Sequence, residues 1–144
     1  MTTVTDLAGK DPRPGDRPRV LVVEDSPDDL ELYGTYLSAN GFTVTTVEAA
    51  ANALSAATSS PAPDVILLDL VLGREDGLAL AQALRADSRS ASIPIVAITA
   101  AVPRYLPEVA MKVGCSDFLM KPCLPDDVAK ALRGAIARRS RPSA

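Results

Sequence analysis

Apolar residues in this chain fall into short solid runs separated by longer stretches of helical spacing. Arg19-Val-Leu-Val-Val23 and Asp64-Val-Ile-Leu-Leu68 are continuous apolar segments, and Ile93-Pro-Ile-Val-Ala-Ile98 is a third. Runs of that length reading apolar at every position predict strands buried on both faces. Phe42-Thr-Val-Thr-Thr46 alternates instead, as a strand with one wet side or at an edge would. Asp117-Phe-Leu-Met120 is a last short strand.

Between these runs the period changes to that of a helix. Ser26-Pro27 supplies an N-cap and a proline at the first helical position, with Asp29 at the third, as in a capping box. Leu30, Tyr33 and Leu37 follow on one face, and Asn40-Gly41 ends the helix. An Ala-rich stretch from Glu48 to about Ser59 predicts a second helix, broken by Pro61-Ala-Pro63. Leu78, Leu80, Ala81 and Leu84 mark a third. A short stripe of Leu106, Val109, Ala110 and Val113 marks a fourth, stopped by Gly114. Pro125 opens a fifth, with Val128, Ala131, Leu132, Ala135 and Ile136 on one face.

Five strands alternating with five helices, most of the strands solidly apolar, predict an α/β fold with a parallel sheet covered on both faces. Right-handed crossovers make such a sheet doubly wound, and ligands then bind outside the carboxyl ends of the strands, near the switch point. The polar, proline-dotted residues 1–18 read as a flexible tail, residues 19–139 as the folded domain and residues 140–144 as a basic tail.

Composition narrows the function. Of 144 residues, 47% are apolar and 23% charged, enough for one domain with a real core; aromatics are only 3%, so that core is aliphatic. The net charge of −3 argues against direct DNA binding and against a membrane surface. Histidine is absent, which removes serine-histidine catalysis, histidine metal sites and a phosphohistidine on this chain. Two cysteines, Cys115 and Cys123, form no metal or disulfide pattern and read as packed thiols. No apolar stretch is long enough to span a membrane and no signal pattern opens the chain, so a cytoplasmic location is expected.

The candidate chemistry lies where the strands end. Glu24 and Asp25 follow the first, Asp69 the third, Thr99 the fourth and Lys121 the fifth. Carboxylates brought together repel unless a cation joins them; lysine is one candidate, and a hard oxygen-seeking dication such as Mg²⁺ is another. With a hydroxyl donor added, the set can hold a phosphoryl group: a carboxylate attacks phosphorus while cations and the hydroxyl stabilise its oxygens.

These residues, in this order, resemble the receiver domain of bacterial response regulators, together with Gly77 eight positions after Asp69 and Pro122 after Lys121. The resemblance covers roughly residues 18–139. It implies a flavodoxin-like (β/α)5 fold with strand order 2-1-3-4-5. Asp69 would be the phosphoacceptor. Asp25 and Asp69 would hold Mg²⁺ with the Val71 backbone carbonyl, and Glu24 would act largely through water. Lys121 would pair with Asp69 at rest and with the phosphoryl group later, and the peptide before Pro122 would be cis. Thr99 would sense the phosphoryl group, and Phe118 would be the aromatic switch behind it. The implied role is a single-domain response regulator of a two-component system or phosphorelay, a signalling domain that phosphorylates and dephosphorylates itself and not a turnover enzyme. A histidine kinase or histidine-containing phosphotransfer protein would donate the phosphoryl group. The output would be contact with a downstream protein target or onward phosphotransfer, by a monomer or weak dimer.

Departures from the family pattern carry their own expectations. Leu70-Val-Leu-Gly73 replaces the usual Met-Pro loop, and Gly73 should loosen it. Val71 and Ala101 flank the phosphoryl site and cannot orient a water, which should influence phosphoryl lifetime. Pro103 and Pro107 leave a short fourth helix beginning near Pro107. Met111 and Met120 are expected in the core. Two other readings stand beside this one: a pseudo-receiver that signals without phosphate, and a Mg²⁺-dependent phosphohydrolase. The latter commonly needs a second acid two residues after its nucleophile, where this chain has Val71.

Overall fold

A computed structural model describes residues 17–100 and 106–140. Most of the expected N-terminal tail, the last four residues, Ala101 and Pro103 lie outside the described residues. Five strands form one sheet: β1 (Arg19–Val23), β2 (Thr43–Val47), β3 (Val65–Asp69), β4 (Ile95–Thr99) and β5 (Asp117–Met120). All neighbours pair in parallel, in the order β2-β1-β3-β4-β5. Five helices alternate with them: α1 (Pro27–Ala39), α2 (Ala50–Thr58), α3 (Gly77–Ala86), α4 (Leu106–Lys112) and α5 (Pro125–Ser140). The fold is the doubly wound, flavodoxin-like one.

Strand alternation splits the core in two. Val20, Val22, Val65, Leu67, Val96 and Ile98 point to the side covered by α1 and α5, where they meet Tyr33, Leu37, Val128 and Leu132. Leu21, Val23, Ile66, Leu68, Ile95 and Ala97 point to the other side, against α2, α3 and α4. β3 and β4 are buried at every position because both faces are covered. β2, at an edge, is only partly covered, as its alternation predicts. Each fully buried Leu or Ile contributes about 1.5–3 kcal/mol by leaving water.

Local chemistry sets the helix ends near the site. Ser26 caps α1 by accepting the Asp29 N–H on its Oγ at 3.3 Å, with Pro27 in the first turn. α4 is short, seven residues with Pro107 second. Two expectations fail. Met111 and Met120 are 48% and 58% exposed, not core. Met120 ends an edge strand, where only one side has a neighbouring strand. Met111 lies on the outer side of α4, whose buried positions are Leu106 and Ala110. The segment after β3 is not loose either: Val71–Leu72 pairs antiparallel with Glu75–Asp76 as a small hairpin, with Gly73 at φ +60° in its tip. That left-handed conformation is one glycine adopts at little cost, so here glycine tightens the turn.

Candidate functional site

β1 and β3 are neighbours at the point where strand order reverses, so the residues after them share one crevice. The Glu24 N–H donates to the Val47 carbonyl at 3.1 Å, and the Leu70 N–H to the Ile98 carbonyl at 3.1 Å, extending the ladder past the strand ends. The Lys121 N–H donates to the Thr99 carbonyl at 2.9 Å, fixing the end of β5 beside that of β4. The Lys121–Pro122 peptide is cis.

The Lys121 ammonium reaches back across the sheet edge. It donates to Glu24 Oε1 at 2.7 Å, Asp29 Oδ2 at 2.7 Å and Asp69 Oδ2 at 2.8 Å. An ammonium has three N–H groups, and all three are used. Burial alone would lower the Lys121 pKa; hydrogen bonds to Asp29, Asp69 and Glu24 more than offset it and hold the group above its ordinary value. Glu24, only 2% exposed, is pushed up, first by burial and further by the Asp69 charge. Its bonds from Lys121 and from the Ser26 N–H, at 3.0 Å to Oε2, act the other way. Removing one partner from a buried ion pair of this kind typically costs about 3–5 kcal/mol.

A second grouping overlaps the first. Carboxylate oxygens of Glu24, Asp25 and Asp69 all lie within 4.8 Å of one another, with Asp25 the most exposed of the three. Three hard oxygen donors at that spacing, one of them wet, fit a dication that keeps part of its water shell. Asp69 Oδ1 also accepts the Val71 N–H at 2.8 Å, which holds the start of the hairpin against the site. Thr99 is 1% exposed, and its Oγ1 has no hydrogen-bond partner among the described residues. A buried hydroxyl without a partner is costly and points to an acceptor that arrives from outside.

The structure brings Glu24, Asp25, Asp69, Thr99 and Lys121 to one place, with Val71 at its rim. Phe118 is half-buried in β5 and packs against the α2–α4 core. Cys115 is buried, and burial pushes its thiol up to about 11, as expected of a packed thiol. Sequence reasoning missed Asp29, which it read only as a capping residue. Its N–H is the one that Ser26 caps, but the Ser26 N–H that a capping box would give its carboxylate goes to Glu24, and the Asp29 carboxylate turns to Lys121. The available signal was spacing: four residues beyond Asp25 is about one helical turn, which keeps Asp29 near the strand end.

Compared with known proteins, residues 20–133 match the family model of the response regulator receiver domain. Curated relatives include the transcriptional regulatory protein BaeR of Escherichia coli O6:H1, 35% identical over 125 residues, covering 87% of this chain and 50% of BaeR. The DNA-binding response regulator MtrA of Mycolicibacterium smegmatis is 33% identical over 122 residues, 85% of this chain and 52% of MtrA. The chain therefore spans about half the length of these curated relatives. Among solved structures, a sensor protein from Polaromonas sp. JS666 aligns with a TM-score of 0.78 and 33% identity, covering 86% of this chain and 99% of that one. The receiver domain of sensor histidine kinase PA1611 from Pseudomonas aeruginosa PAO1, solved with a magnesium ion coordinated in its active-site cleft, aligns with a TM-score of 0.75 and 28% identity, covering 83% and 98%.

Proposed function

Since the chain belongs to the response regulator receiver domain family, we propose that Asp69 is its phosphoacceptor, with Mg²⁺ held by Asp25, Asp69 and the Val71 carbonyl, and by Glu24 largely through water. The observation that carries this reading is the convergence on Asp69: one carboxylate bonded to Lys121, clustered with two further acids, with a buried hydroxyl at the end of the neighbouring strand that has no hydrogen-bond partner among the described residues.

The chemistry follows from those groups. An Asp69 oxygen attacks the phosphorus of a donor phosphohistidine; the O–P bond forms, the N–P bond breaks and the imidazole leaves. A bound dication supplies charge neutralisation for the phosphoryl oxygens. Lys121 moves its hydrogen bond from Asp69 to a phosphoryl oxygen, and Thr99 Oγ1 donates to another. Phe118 turns inward as the Thr99 segment shifts. The chain has no histidine, so a histidine kinase or phosphotransfer protein is the donor.

We read residues 19–139 as the receiver unit, supported by strands and helices running from Arg19 to Ser140 and by the family match over 20–133. We read the domain as signalling through contact with a downstream protein or onward phosphotransfer, and as a monomer or weak dimer. The net charge of −3 supports a protein over a nucleic acid as immediate partner. Two free thiols support a reducing, cytoplasmic location, and no helix among the described residues is long and apolar enough to cross a membrane.

The test is intact-mass spectrometry after incubation with acetyl phosphate and Mg²⁺. A gain of one phosphoryl group, about 80 Da, is expected, and it should vanish with EDTA or in Asp69→Asn. No gain in the folded wild-type protein, with no response to Mg²⁺ and BeF₃⁻, would overturn the reading in favour of a pseudo-receiver.

A further inference from the structure

Two of the three carboxylates on Lys121 have a second engagement. Glu24 and Asp69 also belong to the acid trio with Asp25. Asp29 stands outside the trio, in the first turn of α1, and among the described residues its carboxylate bonds only to Lys121. A dication on the trio draws on oxygens that Lys121 also uses, and it repels the ammonium. A phosphoryl group on Asp69 would turn one of that residue's oxygens into the bridging oxygen of an acyl phosphate. The first event weakens the contacts of Lys121 to Glu24 and Asp69, the second the contact to Asp69, and the Asp29 contact is left untouched by either.

The position of Asp29 is well determined. Its N–H is fixed by Ser26 Oγ, Pro27 limits the backbone of the first turn, and the side chain has a single methylene. We infer that Asp29 is a positioning residue that keeps Lys121 at the site while Glu24 and Asp69 release it. This rests on the reading of Asp69 as phosphoacceptor. Asp29 touches none of the reacting atoms and acts through Lys121.

The experiment is a double-mutant cycle read on Mg²⁺ affinity by calorimetry and on the rate of mass gain from acetyl phosphate at saturating Mg²⁺. Asp29→Asn should weaken Mg²⁺ binding and slow phosphoryl gain, each about tenfold, and Asp29→Glu should restore most of both. In a Lys121→Met background Asp29→Asn should change either quantity by about threefold or less, because its target is gone. Asp28→Asn removes an equal charge from the same turn without any contact to Lys121, and its effect should stay within about twofold. Equal losses from Asp29→Asn in both backgrounds would mean a plain charge effect and overturn the inference, as would wild-type behaviour of Asp29→Asn. Should Lys121→Met fail to fold, the ¹⁵N-detected ammonium signal of Lys121 with Mg²⁺ bound decides: present in wild type and lost in Asp29→Asn if Asp29 anchors it, equal in both if not. Wild type that binds Mg²⁺ but gains no phosphoryl group would count against Asp69 as acceptor, while the Mg²⁺ cycle would still judge Asp29.

Discussion

Lys121 meets three acids where a surface lysine would meet water, and its neighbours feel the crowding. Tyr33, one helical turn beyond Asp29 and 3% exposed, is pushed up to about 12 by burial, with the Asp29 charge adding to it. Its unfolded value is about 10. The folded state therefore holds the phenol proton more tightly, and that stabilisation is complete below pH ~10 and lost as pH rises through ~12. Urea midpoints measured at pH 9 and pH 11 should fall more for wild type than for Tyr33→Phe; equal falls would mean that Tyr33 does not couple folding to alkaline pH.

Among the elements, the β3–α3 connection controls the site most directly. The Gly77 N–H donates to the Leu70 carbonyl at 3.0 Å, and a Cβ at Gly77 would sit 2.5 Å from Leu70 Cα and 2.8 Å from the Asp69 carbonyl oxygen. Backbone cannot swing aside as a flexible side chain can, so any side chain there moves the residue next to Asp69. Gly77→Ala should lose about 1–3 kcal/mol in urea unfolding. It should also slow phosphoryl gain from acetyl phosphate by more than that instability accounts for at temperatures where the variant is fully folded. A variant with normal kinetics would show that the close approach matters to stability alone. On the other side of the crevice, a Cβ at Gly73 would lie 3.2 Å from Asp25 Oδ2, so the hairpin tip also rests near the acid trio.

For the whole molecule, the acid trio is a stability cost in the absence of a cation, since three carboxylates share one crevice with one lysine. A dication that binds only the folded state should raise stability by mass action, by about 2.7 kcal/mol at a hundred times its dissociation constant. Thermal unfolding followed by circular dichroism should therefore shift upward with Mg²⁺ in wild type and hardly at all in Asp25→Asn. An equal shift in both would place the cation elsewhere.

The sequence by itself determined the architecture, because that information is local. Solid apolar runs mean strands covered on both faces, the Ser26-Pro27 cap marks a helix start, and the polar residue after each run falls on one sheet edge. Glu24, Asp25, Asp69, Thr99 and Lys121 were legible for that reason: parallel strands align their ends. What a side chain does after leaving its strand or helix is not local. Asp29 reads as a cap along the chain, and only folding brings it to a lysine 92 residues away. Met111 and Met120 read as core because they are apolar, yet exposure depends on which neighbours the fold supplies, and an edge strand and a short helix supply few. The hairpin after Asp69 was misread for the same reason. Glycine loosens an isolated loop, whereas a paired turn that needs φ +60° is tightened by it, and the pairing of Val71–Leu72 with Glu75–Asp76 exists only in the folded chain.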